Sequence, residues 1–335
     1  MITALYGLFS FIITAILVVF GTLLLVYLER RTLALFTLRY GPNRTGYEGI
    51  MQTVADAIKL LVKENCTPKA SRKILFFTAP LIVFCPIISA FCLLPLSGNY
   101  IPLNIAPSIV LIMALISTPV IGVFLAGLSS GNKYSLLGAM RSISQALSFE
   151  IPLGICVLAI TFMAGTLNIN EIILAQNSPY GLFNWYFIPQ ILGCVVFFIC
   201  TLALLNRTPF DLSEAESEFV SGYNVEYSGI KFAMFFLGEY ALLFLVSLVF
   251  TALFFGGYLS PFGNWILPNS FVFLEQIFWL ILKTFLVILT IILIRATLPR
   301  LRYDRLLEFS YKILLPLALI NLNIAVLIRY FMISR

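Results

Sequence analysis

Eight stretches of this chain are apolar for long enough to cross a bilayer, and that recurrence governs what it can fold into. They fall at about 5–28, 75–95, 106–128, 144–164, 187–205, 232–255, 278–294 and 313–330. A hydrocarbon layer of ~30 Å is crossed by about 20 residues of helix, whereas a barrel strand needs only about ten. In lipid, every backbone N–H and C=O must find a partner within the protein, so runs of this length are helices. Hydrophobic residues make up 61% of the 335 and charged ones only 11%, too little charge for a water-facing shell. The expectation is an all-α integral membrane protein, one membrane domain over residues 1–335 with eight transmembrane helices. Pro80, Pro86, Pro119 and Pro152 lie in or near spans, where prolines are tolerated but bend the helix. Met1 to Leu28 carries no charge, which suits a retained first span rather than a signal peptide with its basic leader.

Orientation follows from the basic residues. Residues 29–73 hold nine Lys and Arg, 129–142 two, 206–231 two and 295–312 five, so eighteen of the 21 share one side if eight spans alternate. The opposite connections, 96–105, 165–186 and 256–277, hold none. The positive-inside rule puts the basic segments on the matrix or cytoplasmic side and both termini opposite. Topology thus accounts for the net charge of +6 without a nucleic-acid partner. Between the first two spans, Ile50, Val54, Ile58 and Leu61 form an apolar stripe over residues 47–64, and Glu48, Gln52, Asp56, Lys59 and Lys63 line the other face. Such a helix lies in the membrane interface, with Gly41-Pro42 and Pro68 marking its ends.

The chain contains no histidine, and none of its six cysteines falls in a C-x-x-C pair. Neither a metal site nor a haem or iron–sulfur ligand set is expected, and any proton relay must use Glu, Asp, Lys, Tyr and water. Three ionisable residues lie inside spans: Glu150, Glu239 and Lys283. A charge at mid-membrane costs ~2.5–3.5 kcal/mol against ~0.3–0.6 regained per Leu or Ile, so a purely structural helix gains nothing by carrying one. Interhelical ion pairing is one reading. The other is a proton relay through the carboxylates, which would each lie about 10 Å deep, at a common level, if the helices begin at the membrane edge.

The segment 207–227 is unusual for its side of the membrane, with Asp211, Glu214, Glu216, Glu218 and Glu226 against the single Arg207. Acid clusters in loops are mostly solvated faces and occasionally metal sites. Here Pro209, Phe210, Leu212, Phe219, Val220 and Tyr223 interleave with the acids, so the loop is expected to fold inward toward Glu150 and Glu239.

These segments together carry a resemblance. Glu29-Arg30-Arg31 with Arg39-Tyr40-Gly41-Pro42-Asn43-Arg44 resembles the opening of the NADH–ubiquinone oxidoreductase chain 1 family, whose bacterial members are the H-type subunits. Ala55-Asp56-Ala57 with Lys59-Leu60 and Lys63-Glu64 is similar to that family's surface helix. So are Asn132-Lys133-Tyr134, Gly138 to Arg141 with Gln145, the loop Asn206 to Leu212 with Glu214, Glu216 and Glu218, and Arg295 with Pro299 to Asp304 to its later inner segments. The resemblance implies a core membrane subunit of respiratory complex I. Such a protein carries no catalytic residue or redox cofactor of its own. It would work with hydrophilic-arm subunits (bearing the NADH site, FMN and iron–sulfur clusters), antiporter-like membrane subunits, lipid, and ubiquinone as substrate.

By the same resemblance, Arg30, Asp56 and Arg295 face the quinone tunnel, and Glu150, Glu214, Glu218 and Glu239 begin the proton path. Glu29, Lys59, Arg141, Arg207, Asp211, Lys283, Arg300 and Arg302 would support these sites or the interfaces. Three positions depart from the family pattern: Leu204 replaces a Glu, Phe149 a Tyr and Arg305 a Gln. The first removes an acid and puts the usual residue-by-residue route in doubt. Two other readings compete, a hydrogenase-type membrane anchor and an autonomous ion transporter; the latter requires an inverted repeat that the sequence does not display. The uncharged start and the Phe/Ile/Leu-rich composition suit a mitochondrial inner-membrane chain, with a bacterial plasma membrane as the alternative.

Overall fold

The computed structural model describes residues 2–98, 100–178, 181–211, 222–263 and 271–333, with side chains between Ser10 and Phe331. Helices occupy all eight expected places, and no strand occurs among the described residues. In chain order they are α1 (Ile2–Phe36), α2 (Met51–Val62), α3 (Lys73–Phe91), α4 (Ser108–Ser129), α5 (Lys133–Ala164), α6 (Ile169–Ala175), α7 (Ile191–Leu204), α8 (Gly229–Phe254), α9 (Val272–Thr297), α10 (Tyr303–Phe309) and α11 (Leu315–Ile333). Seven helices are long and apolar enough to span a membrane, one of them running through α10 and α11; α7 is a shorter apolar helix.

Several ends differ from the hydropathy boundaries, because charge marks the edge of the hydrocarbon and not the end of a helix. α1 runs past Leu28 through Glu29, Arg30 and Arg31, and stops only where Leu38 turns left-handed (φ 52) ahead of Gly41-Pro42. α5 starts at Lys133 rather than near residue 144, because the Asn132 side chain accepts from the Tyr134 amide (3.0 Å) and caps it. The segment 295–312, expected as a loop, is non-helical only from Leu298 to Arg302; beyond it α10 passes through a π turn, Ser310–Leu314, into α11. α7 has only 14 residues, and its outer continuation is held by side-chain amides instead. There the buried Gln176 donates to the Ala252 carbonyl (3.1 Å) and accepts from the Gly256 amide (3.1 Å), while Gln190 donates to Ala159 (3.3 Å).

The bundle is organised around α8 and α5. α8 touches α1, α2, α3, α6, α7 and α9, and α5 touches α4, α7 and α11. Small residues permit the closest approaches. A Cβ on Gly122 of α4 would stand 2.5 Å from Val83 of α3, so those helices pack backbone to side chain. α2 rests on α1 and α8 with Thr53 buried, and presents Val54, Ile58 and Leu61 outward, the amphipathic arrangement its sequence pattern describes.

The basic segments gather at one end of the bundle. Arg72 N–H bonds Ser129 O (3.0 Å), Cys66 N–H bonds Ser228 (3.0 Å), Asn132 bonds Glu226 (3.0 Å) and Leu301 N–H bonds Pro209 O (3.0 Å). At the other end, Gly98 N–H bonds Gln276 (3.0 Å), Asn168 bonds Asn104 (2.8 Å) and Leu182 N–H bonds Pro261 O (3.2 Å).

Candidate functional site

At the basic end, the extension of α1 beyond the hydrocarbon places Glu29 in the interior, 2% exposed. Its two carboxylate oxygens accept from two guanidiniums, Arg207 (2.7 Å) and Arg295. Arg207 follows α7 directly, where Asn206 takes a left-handed conformation (φ 50) and turns the chain inward; Asn tolerates that region better than most residues. The Arg207 guanidinium also lies over the Tyr240 ring, 4.9 Å from its centroid. Arg295 comes from the last turn of α9, and its backbone carbonyl accepts from the Thr208 hydroxyl (3.1 Å). One carboxylate between two guanidiniums satisfies the buried charge with charge-assisted hydrogen bonds and leaves the cluster one positive charge in excess.

That positive cluster forms one wall of a cavity of about 240 Å³, shared with Asp211, Asn224, Glu239 and Tyr240. Asp211 pairs with Arg300 (2.9 Å), which ties the start of the acidic loop to the segment after α9. Gln145 of α5 donates to both Ala203 O and Phe210 O (2.8 Å each) and fixes the same loop from the bundle side.

The three residues expected to share a tunnel end fall into two groups. Arg30 and Asp56 meet each other (2.5 Å) between α1 and α2, and Asp56 also accepts from Gln52 (3.0 Å). Arg295 meets Glu29 instead. Consecutive residues project about 100° apart around a helix, so Glu29 and Arg30 cannot serve the same face of α1. Burial works against ionisation of Asp56, but the Arg30 guanidinium, the Gln52 amide and the nearby Lys59 outweigh it and hold the carboxyl below its ordinary range.

On the acidic path, Glu239 accepts a hydrogen bond from the Tyr223 hydroxyl (2.8 Å). Glu150 has a buried carboxyl oxygen with no hydrogen-bond partner among the described residues. Glu214 and Glu218, with Glu216, lie outside the described residues. A second cavity of about 50 Å³ is bordered by Glu239, Tyr223, Leu204, Ser142 and Ala146. Ser142 and Ala146 of α5 thus border the same space as Glu239, and Glu150 follows one turn later on that face of α5.

The supporting residues are dispersed. Arg141 lies over the Tyr303 ring (5.5 Å), whose hydroxyl bonds Ser144 (2.6 Å), and Arg302 makes an exposed pair with Asp304 (3.1 Å). Lys283, the cation inside a span, donates to the carbonyls of Phe255 (2.8 Å), Gly257 (2.9 Å) and Leu259 (2.6 Å) and sits 4.0 Å over the Trp185 ring. It closes the carboxyl end of α8, far from the cluster. The sequence does not single out Tyr223 as a site residue, since a tyrosine in an aromatic loop carries no charge pattern to mark it.

A family model described as NADH dehydrogenase matches residues 9–326. The chain belongs to the NADH dehydrogenase family. The resemblance carried by its loop motifs therefore holds along almost its whole length. Within the NADH dehydrogenase family it is similar to the H subunit of the NADH-quinone oxidoreductase of Dehalococcoides mccartyi strain CBDB1, at 44% identity over 317 residues, 95% of this chain and 83% of that one. The same protein of Dehalococcoides mccartyi strain ATCC BAA-2266 is 43% identical over 317 residues, with the same coverage. That of Brevibacillus brevis is 42% identical over 306 residues, covering 91% of this chain and 88% of the relative. All three of these NADH dehydrogenase relatives are bacterial.

Proposed function

We propose that this chain is the membrane subunit that receives quinone in a proton-pumping NADH–quinone oxidoreductase and begins the path from quinone chemistry to proton movement. The observation that carries the proposal is the Glu29 clamp, a buried carboxylate holding Arg207 and Arg295 at the wall of a 240 Å³ cavity that Asp211 and Glu239 also line. Reduction of a quinone develops negative charge on its ring oxygens. Guanidiniums already fixed in place stabilise that charge without reorganising as it forms. The carboxylates in the same cavity respond to it electrostatically, and Glu239, Glu150 and the loop acids Glu214 and Glu218 would carry protons onward.

Electrons arrive from partner subunits that bear the NADH site, FMN and iron–sulfur clusters, and ubiquinone is the expected acceptor. The apolar stripe of α2, beside the Arg30–Asp56 pair, suits the passage of a prenyl tail out of the bilayer. Leu38 and Tyr40, 96% and 95% exposed at the basic end, suit the docking of the hydrophilic arm. The bacterial source of the relatives favours a cell membrane over the mitochondrial inner membrane.

Replacing Arg295 with Met tests the site. In assembled complex, quinone reduction should fall on the order of tenfold or more, as for loss of a preorganised donor, while NADH oxidation by an artificial acceptor is unchanged. Native quinone kinetics in that variant would remove Arg295, and with it the clamp, from quinone chemistry.

A further inference from the structure

Glu239 stands between two cavities. One is the 240 Å³ space with the arginine clamp; the other is the 50 Å³ space among α3, α4, α5 and α8. The small cavity is bordered mainly by aliphatic side chains, including Leu204 at the end of α7. Besides Glu239, the polar residues on its boundary are Tyr223, Ser142 and Asn206. Only one of these is hydrogen-bonded to the carboxylate: Tyr223 donates to Glu239 Oε1 at 2.8 Å. The phenol is held tightly for that purpose. Tyr223 is 3% exposed, its ring stands edge-on to Phe235 (5.5 Å), its carbonyl accepts from Ser135 (3.1 Å), and the preceding Gly222 is left-handed (φ 67). A Cβ on Gly138 would stand 2.9 Å from Gly222, so α5 lies directly against this turn.

We propose that the Tyr223 hydroxyl is the relay group that passes protons between the small cavity and Glu239. This rests on the proton-path reading above and adds to it a residue outside the acidic series. A space of about 50 Å³ with polar groups on its wall admits water. In the transfer, a protonated water in the cavity gives a proton to the phenol oxygen while the phenol gives its own to the Glu239 carboxylate. Water and phenol end neutral, Glu239 ends protonated, and one positive charge has moved through the hydroxyl. The reverse transfer returns it. The face of α5 that borders this cavity through Ser142 and Ala146 continues one turn later into Glu150, which has a buried carboxyl oxygen without a hydrogen-bond partner among the described residues, so the same helix face leads from the cavity to the second carboxyl. Leu204 contributes no group that can exchange a proton there, and the phenol supplies one.

The test is proton pumping and coupled quinone reduction by the complex in sealed vesicles, per unit of NADH oxidation with an artificial acceptor. Tyr223→Phe keeps the ring packing and should lower coupled turnover on the order of a hundredfold, the low end for loss of a positioned proton-transfer group. Adding Leu204→Glu to Tyr223→Phe places a carboxyl in the same cavity and should restore most of that loss. Fluorotyrosine at position 223 keeps ring and hydroxyl but ionises more readily, so the alkaline limb of the pH profile should move to lower pH. Glu239→Gln serves as the reference. If it is impaired while Tyr223→Phe is native, or while the fluorotyrosine profile is unmoved, the phenol is only a structural partner and this inference is overturned, with the proton path intact. If Glu239→Gln is itself native, the proton path fails and the role of Tyr223 with it.

Discussion

Lys283 sits inside α9 with its ammonium against three backbone carbonyls, and that arrangement decides between two uses of an intramembrane cation. A residue kept for proton exchange needs a protonic partner, whereas this one spends its three donors on the open end of α8, where the helix dipole also favours positive charge. Charge-assisted hydrogen bonds are worth about 1.5–3 kcal/mol each, and removing the donor strands its acceptors. Lys283→Met should therefore destabilise the complex by about 3 kcal/mol or more by that reckoning. It should accelerate amide exchange at Gly257 and Leu259, and leave quinone reduction per assembled complex unchanged. Native exchange at those amides would contradict the clamp. The sequence locates Lys283 by its cost alone, because nothing in a residue's own position says that the carbonyls at 255–259 will fold back over it. Glu29 is harder still. Its partner Arg295 lies 266 residues away, so the resemblance could place both near the site but no spacing could pair them.

At the scale of elements, a helix stands at each hydropathy peak among the described residues, and hydropathy misjudges ends wherever a helix outlives the apolar run. The charges at Glu29–Arg31 and at Lys133 read as edges, yet backbone hydrogen bonding continues through both. The buried amides Gln176, Gln190 and Asn321 escape notice for another reason: no charge marks them, and the backbone groups they bond, at Ala252, Ala159 and Gly193, lie on other elements. The α1–α2 tie has a testable pH dependence. Because the folded state holds the Asp56 carboxyl below its ordinary range, the pair contributes stability above that range and loses it as pH falls through the lowered value. Both partners are partly exposed, 42% and 30%, so the contribution is at most about 1 kcal/mol. A spin label at Leu61 should become more mobile on acidification, and in Asp56→Asn it should be equally mobile at every pH. A label whose mobility ignores pH in the unmodified protein would show that packing alone seats α2.

For the whole molecule, alternation of eight spans predicts two chemically distinct ends. A membrane-impermeant thiol reagent should reach the exposed Cys66, and cysteines placed at Lys133 and Arg305, from the cytoplasmic side. Cysteines at Asn177 and Phe262 should react only from the other. One discordant position would break the orientation and with it the placement of the cavity at the basic end. That end is also where the residues of the NADH dehydrogenase family resemblance collect, which is why so much of the site is legible without a structure. α7 carries a separate implication. At 14 residues it is ~21 Å long, about 9 Å less than a typical hydrocarbon layer. Its outer extension can meet acyl chains without stranding donors, since Phe187 N–H is bonded to Phe254 O (3.1 Å) and Gln190 N–H to Tyr186 O (3.0 Å). A bilayer thicker than α7 is therefore matched either by this extension or by local thinning, at an elastic cost that grows with the mismatch. The thickness of the surrounding membrane, fixed by the acyl chains a cell synthesises, thereby becomes a mechanical input to this protein.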